Sequence, residues 1–266
     1  MRIGIIGGGF MGEAFLRGML RGAVAEPGDI AVAEVVEARR NALAEHRVRV
    51  TDDAQSACIG ADVVLLSVKP QDLSHVAGGL QGAISRDAVL ISIAAGVRLE
   101  DVRRYSGHRA CVRVMPNLPA AIGQGAAVYY AAPEVTPEQL QRVRQVLSAV
   151  ASATVEAHSD DEVDLATAVH GSGPAYVYLF IEAMIDAAVR QGMKRADAQT
   201  LVLATVQGSA AYAIETEQHP AALRNAVTSP GGTTAAGIAE LEAASFRTAI
   251  DSAIDAAYER ARELGE

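Results

Sequence analysis

The chain has two cysteines in 266 residues, Cys58 and Cys111, and they form no Cys-x-x-Cys pair. That spacing excludes a disulfide framework, and without a His-x-x-x-His pair at helical spacing no zinc site or other metal centre is signalled. Both thiols read as core residues. Positive charge is also scarce: 23 Lys and Arg against 32 Asp and Glu leave a formal charge of −9. This is the wrong sign for a nucleic-acid or anionic-membrane partner, which requires a basic face. The short basic pairs Arg39-Arg40 and Arg103-Arg104 lie in helix-like segments and read as solvated faces, with a nucleotide-phosphate contact as the alternative for the first pair. No run of about 18 uninterrupted apolar residues is present. The N-terminus reads as a strand rather than a charged leader, so a cytoplasmic protein is expected. Half of the residues are hydrophobic, enough for a substantial core and against disorder.

The chain opens on an apolar strand, Arg2-Ile3-Gly4-Ile5-Ile6, that breaks into Gly7-Gly8-Gly9-Phe10-Met11-Gly12 and then a helical stretch, Glu13 to Arg21. This is a G-x-G-x-x-G loop in the setting that gives it meaning. Gly7 serves the tight turn, Gly9 leaves room for a pyrophosphate, and Gly12 lets helix and strand pack closely. The helix start offers free N–H groups and a positive dipole end to phosphate. A dinucleotide cofactor, and hence redox chemistry, is the expectation.

The same strand-helix pattern recurs. Ile30 to Ala33 reads as a second strand with Val36 to His46 as its crossover helix. Asp62 to Val68 and Val89 to Ile93 are continuous apolar runs of the kind that suit a parallel sheet covered on both faces. Ala110 to Met115 and Ala126 to Tyr130 supply two more strands, and Pro137 to Val150 a helix capped by Thr136. The fold class expected is α/β, a Rossmann-like doubly wound sheet over residues 1–158. Ligands of such sheets sit beyond the carboxyl ends of the strands. Gly7, Gly9, Phe10, Met11, Gly12, Val68, Lys69, Pro70, Ala94 and Ala95 therefore become candidate cofactor contacts, with Met115-Pro116-Asn117 as a further wall. Glu34, at the end of the second strand, would accept hydrogen bonds from a ribose 2′-hydroxyl or else point to solvent.

After His158 strand-like runs give way to Ala-rich helical stretches: Pro174 to Gln191, Ala196 to Glu215, Pro220 to Ala226, Thr233 to Leu241 and Phe246 to Glu263. Residues 159–266 are thus expected to form an all-helical domain. Its wide apolar faces, Tyr178, Phe180, Ile181, Met184, Ile185 and Val189 among them, suit either one well-packed bundle or, preferably, a homodimer whose subunits share a core. Within it, Ser229-Pro230-Gly231-Gly232-Thr233-Thr234 places two glycines and two hydroxyls at a helix start. That is either an anion nest for a small carboxylate or phosphate, or an ordinary capped helix start. A similar loop, His170-Gly171-Ser172-Gly173-Pro174, precedes the long helix.

Taken with Ser67-Val68-Lys69-Pro70-Gln71, Ile91-Ser92-Ile93-Ala94-Ala95-Gly96 and Val114-Met115-Pro116-Asn117, these loops resemble those of the pyrroline-5-carboxylate reductases, and the likeness runs along nearly the whole chain. The resemblance implies hydride transfer from NADPH or NADH to a cyclic imine, giving proline. It implies a helical dimerisation domain with interleaved subunits, often in a ring of dimers. It also implies that Ser229, Gly231, Gly232 and Thr233 hold the substrate carboxylate while the Thr234 hydroxyl, the catalytic group expected, reaches the ring nitrogen. Phe10, Leu118 and His170 replace a polar residue, Thr and Ser of the family's pattern, and Glu34 stands where many relatives carry a small hydroxyl residue that meets a 2′-phosphate. The rivals are a 3-hydroxy-acid or larger-imine reductase of similar architecture and a cofactor-sensing module without turnover. A hydroxy-acid enzyme would place a lysine on the helix after Gly171-Ser172-Gly173, and none is found near its start.

Overall fold

Why this sequence makes a two-faced sheet is visible in its strand alternation. In the computed structural model, which describes Met1 to Gly265, β1 (Ile3–Ile6), β2 (Ile30–Ala33), β4 (Val63–Leu66) and β5 (Val89–Ser92) are buried along their full length. Successive side chains point to opposite faces. Ile5, Val32, Leu65 and Ile91 join one core with Phe15, Leu16 and Met19 of α1 (Phe10–Arg21), while Ile6, Val64, Leu66 and Leu90 join another with Leu73 and Ala77 of α4 (Pro70–Gly79). Two cores on one sheet are what double winding means physically, and the expected fold class is found.

The sheet has eight strands in the order β3-β2-β1-β4-β5-β6-β7-β8, including β3 (Arg49–Thr51), β6 (Cys111–Pro116), β7 (Gly125–Ala131) and β8 (Ala151–Glu156). Neighbours are parallel except β6 and β7, which are antiparallel. The link between those two is a short 3-10 turn at Leu118–Ile122, too brief for the crossover that a parallel pair needs. The segment α6 (Pro137–Ser148) then carries the chain from β7 to β8. Its N-terminus bears the cap expected from sequence: the Thr136 hydroxyl accepts the Gln139 N–H, and the Gln139 side chain accepts the Thr136 N–H. The edge strands β3 and β8 lack the apolar runs that mark the others, because an edge strand exposed on one side needs none.

By compactness the chain divides into two units, Met1–Ser172 with the residues from Ala257 onward, and Gly173–Ala256. The border placed at 158/159 from sequence falls inside the first unit. The reason is α7 (Asp160–Ala166), which packs on β7 and sends Asp160 and Asp164 to the buried Arg113 of β6. A π-turn, Thr167–Gly171, follows it.

The second unit contains α8 (Gly173–Arg190), α9 (Arg195–Thr216), α10 (Pro220–Ala226), α11 (Thr233–Ala243) and most of α12 (Phe246–Glu263). All five helical stretches expected from sequence are present within a few residues. No residue of α8 is buried, and α9 buries Ala198 and Val202. Leu179 (66% exposed), Leu201 (56%) and Ile214 (78%) lie open. Among the described residues no helix is long and apolar enough to cross a membrane.

Candidate active site

The carboxyl edge of the sheet gathers most of the cofactor residues expected from sequence. Pairing registers Ile6 with Ala33 on one side and Leu66 on the other, and Leu66 with Ser92. The segments that begin at Gly7, Glu34, Ser67 and Ile93 therefore leave the sheet side by side. The strand order changes direction between β1 and β4, the switch point at which α/β sheets bind nucleotides.

The three glycines of the first loop meet three different demands. Gly7 adopts φ +98°, and a Cβ there would stand 2.4 Å from the Ser67 carbonyl oxygen. A Cβ on Gly12 would stand 2.0 Å from the Gly7 carbonyl oxygen, so the helix could not sit so near the strand. Around Gly9 no atom lies within 4 Å of the added carbon. An open cradle of this kind leaves room for a pyrophosphate. Gly9 is also the N-cap of α1 and supplies no side-chain cap, which leaves the first-turn N–H groups free for an anion. Phe10 is exposed beside the cradle, and Met11 packs partly on the core below it.

Glu34 points neither away into solvent nor freely into the cleft. Its carboxylate accepts the Gly8 N–H at 2.9 Å and the Val36 N–H at 2.9 Å. Arg39 donates to the Gly8 carbonyl at 2.6 Å and to Glu13 at 2.8 Å, and this bond holds the Glu13 carboxyl below the usual range. Arg40 donates to the backbone carbonyls of Glu34 and Val35. Both arginines of that pair are therefore bonded at the glycine loop and the end of β2 rather than forming a purely solvated face.

Val68 and Lys69 lead into α4, whose first residue is Pro70, a position where the missing N–H costs nothing. Ala94 is buried and Ala95 exposed, and the following Gly96 (φ +70°) is covered by Leu264 near the end of the chain. The sequence offered no sign of that last contact. Nor did it signal the buried Arg113–Asp160–Asp164 cluster, although an arginine inside an apolar strand and two aspartates at helical i, i+4 spacing are the trace it leaves.

In the second unit, Ser229-Pro230-Gly231-Gly232 joins α10 to α11. Gly231 takes φ +72°, and the Gly232 N–H bonds the Ser229 carbonyl at 3.0 Å. Gly232 is the N-cap of α11 and no side chain caps that helix. The ordinary Ser/Thr-capped helix start is thus not what forms here, and the N–H groups of Thr233 and Thr234 have no partner in their own helix. Thr233 is exposed and Thr234 half-buried. Free N–H groups at a helix start of this kind suit a small anion.

A doubly wound sheet with an open glycine cradle, joined in one chain to a helical unit bearing its own glycine loop, defines a nicotinamide-dependent oxidoreductase. Residues 2–96 match the family model described as NADP oxidoreductase, coenzyme F420-dependent, and residues 160–264 match the pyrroline-5-carboxylate reductase dimerisation model. The chain belongs to the pyrroline-5-carboxylate reductase family, NAD(P)H-dependent enzymes that reduce a C=N bond. It is 45% identical to the pyrroline-5-carboxylate reductase of Synechocystis over 100% of this chain and 99% of that one. Its structure is similar to the pyrroline-5-carboxylate reductase of Coxiella burnetii, with a TM-score of 0.93, 33% identity and coverage of 100% and 98%. It is also similar to the Plasmodium falciparum pyrroline carboxylate reductase with NADP bound, with a TM-score of 0.90, 28% identity and coverage of 100% and 98%. The dimerisation model covers the helices whose apolar faces lie open, and the protein oligomerises through this region.

Proposed function

We propose that this protein reduces 1-pyrroline-5-carboxylate to L-proline, the last step of proline biosynthesis, with the residues assigned as follows from the two glycine loops. Gly9 leaves room for the pyrophosphate, Gly7 and Gly12 shape the turn and the close helix that frame it, Phe10 and Met11 flank it, and Glu34 would meet the adenosine ribose. Val68, Lys69, Pro70, Ala94 and Ala95 wall the nicotinamide side. The nicotinamide cofactor, when bound, supplies the hydride. The N–H groups of Gly231, Thr233 and Thr234, with the Ser229 hydroxyl, hold the substrate carboxylate and so orient the ring, while Gly232, its own N–H bonded to Ser229, turns the backbone into α11. Hydride adds to the imine carbon, the C=N π pair moves to nitrogen, and the Thr234 hydroxyl pairs with that nitrogen as it becomes an amine. A protonated imine is already a strong electrophile, so orientation and exclusion of water are the tasks left to the protein.

The observation that carries this reading is the uncapped start of α11 behind Gly231 and Gly232. It suits a small carboxylate, on a chain whose other glycine loop suits a dinucleotide. The helix α8 contains no lysine, which disfavours the hydroxy-acid alternative. The open apolar faces of α8 and α9 support a homodimer, and a ring of such dimers is the assembly we infer. Two reduced, buried thiols agree with a cytoplasmic location. The test is steady-state oxidation of NADH and NADPH with 1-pyrroline-5-carboxylate, with proline measured as product. Saturating imine that elicits no oxidation of either nucleotide overturns the assignment.

A further inference from the structure

The ring of His170, in the π-turn, faces two acceptors. Its Nδ1 lies 2.5 Å from the Ala166 carbonyl oxygen and its Nε2 lies 2.8 Å from the Met115 carbonyl oxygen. A neutral imidazole offers one N–H and one lone pair. Either neutral tautomer would therefore press a lone pair against a carbonyl oxygen at hydrogen-bond distance. The imidazolium donates to both. We propose that His170 is a cationic positioning residue of the reductase, tying the π-turn to the end of β6 and thereby fixing Met115 and Asn117 at the cofactor edge of the sheet.

Three further contacts converge on the same place. The Asn117 side chain donates to the His170 carbonyl at 3.1 Å and accepts the Ala126 N–H at 2.9 Å, so its amide is committed to holding this corner. Gly171 lies so close to Met115 that an added Cβ would stand 2.9 Å from its terminal methyl. Arg113, two residues before Met115 on the same strand, pairs with Ser92 in the sheet register. Met115, Pro116 and Asn117 thus overhang the carboxyl edge from which the Ala94–Ala95 segment leaves.

The π-turn explains why the ring can reach both oxygens. Its Ser172 N–H bonds the Thr167 carbonyl at 2.9 Å, an i to i+5 bond that widens the helix locally and brings the His170 ring over the carbonyl four residues back. The charged groups on the elements packed against the π-turn are those of β6 and α7. On β6 stands Arg113, which bonds Asp160 and Asp164 of α7, and the second Asp164 oxygen is buried without a hydrogen-bond partner. Of the other α7 acids, Asp161 pairs with Arg98 and Glu162 accepts the His158 N–H. The β7 titratable group packed on this side is the phenol of Tyr130.

The positioning role rests on the imine-reductase reading, whereas the charge of the ring does not, and the experiment has one arm for each. Neutron diffraction from perdeuterated crystals of the whole protein near neutral pH is expected to place deuterium on both ring nitrogens. A bare nitrogen overturns the proposal. In kinetics, His170→Ala is expected to lose about tenfold in kcat, the scale of one charge-assisted hydrogen bond. His170→Gln, which keeps a donor toward one carbonyl, is expected to recover part of it, and affinity for ADP-ribose should stay unchanged in both. Wild-type kcat in His170→Ala refutes the positioning role. A parallel loss of ADP-ribose binding refutes it too, by exposing general damage to the fold. A doubly deuterated ring in a protein that reduces no imine would instead sink the reaction reading and leave the charge state standing.

Discussion

The carboxylate of Glu34 closes on the Gly8 N–H at 2.9 Å, so the acid at the end of β2 is built into the glycine loop. A 2′-phosphate entering here meets that negative charge, while a 2′-hydroxyl meets an acceptor. Arg39 and Arg40 stand beside the same loop, but both already donate to backbone carbonyls. NADH is therefore expected to be used at least as well as NADPH. Glu34→Ser should raise the NADPH-to-NADH ratio of kcat/KM by about tenfold, the effect of removing a partly screened like-charge contact of about 1.4 kcal/mol. A ratio strongly favouring NADPH in the parent and unmoved in the variant would assign the choice to the arginines.

Gly9 and Gly12 separate binding from folding. The Gly12→Ala methyl would collide with backbone at Gly7, and overpacking of this kind costs about 1 to 3 kcal/mol. Its Tm should fall and cofactor affinity with it. The Gly9→Ala methyl meets no protein atom within 4 Å, so the fold should keep its Tm and lose nucleotide affinity alone. Calorimetry together with fluorescence titration of NADH checks both. Equal Tm losses in the two variants would contradict this division.

Much of this division was legible in the sequence because it rests on backbone geometry that few residues besides glycine provide. The loop Gly7 to Gly12 announces itself by its place between an apolar strand and a helix. Buried central strands announce themselves by unbroken apolar runs. The edge strands β3 and β8 did not, since Ala-Ser-Ala-Thr-Val-Glu has a single large apolar residue and pairs on one side only. The position of α7 was hidden for another reason. Its attachment to the first unit comes from Arg113 meeting Asp160 and Asp164 across about fifty residues of sequence, and no local periodicity records such a pairing. The two acceptors around His170 are backbone carbonyls, which carry no sequence signal at all.

The thiols offer a test by pH. Burial pushes Cys58 and Cys111 up to about 12, against about 8.5 for a free thiol. A folded-state value raised above the unfolded one gives stability that is complete below about pH 8.5 and is lost as pH climbs toward 12. Near pH 8 neither thiol of the native protein should react with iodoacetamide on the time scale of minutes, and both should react after denaturation in urea. Mass spectrometry counts the adducts. Rapid alkylation of either cysteine without denaturant would contradict the buried, protonated state.

The open faces of α8 and α9 set an expectation for assembly. Apolar side chains such as Leu179, Leu201 and Ile214 are costly to leave in water, and burying each is worth about 1.5 to 3 kcal/mol. Sedimentation velocity at micromolar concentration should find no monomer. Leu179→Glu with Leu201→Glu should produce monomers or aggregates. A stable, active wild-type monomer would rule out assembly through these helices.

Thr234 carries the chemical assignment, and its test separates substrate from cofactor. The residue lies in the first turn of α11, half-buried, behind Gly231 and Gly232, whereas the cradle of Gly7 to Gly12 belongs to the other compact unit. A hydroxyl that pairs with the imine nitrogen as it becomes an amine contributes one hydrogen bond to a group whose charge is changing. Its removal should cost about 1 to 3 kcal/mol of transition-state stabilisation, roughly a tenfold to hundredfold loss in kcat/KM. With the carboxylate held by the nearby amides as proposed, KM for the imine should rise less than kcat falls. NADH affinity, measured by fluorescence without substrate, should not move. Thr234→Ser keeps the hydroxyl and should recover most of the rate, which distinguishes loss of the bond from loss of the methyl. Thr234→Ala with unchanged kcat/KM would remove this residue from the mechanism and leave the loop amides as the whole of the substrate site.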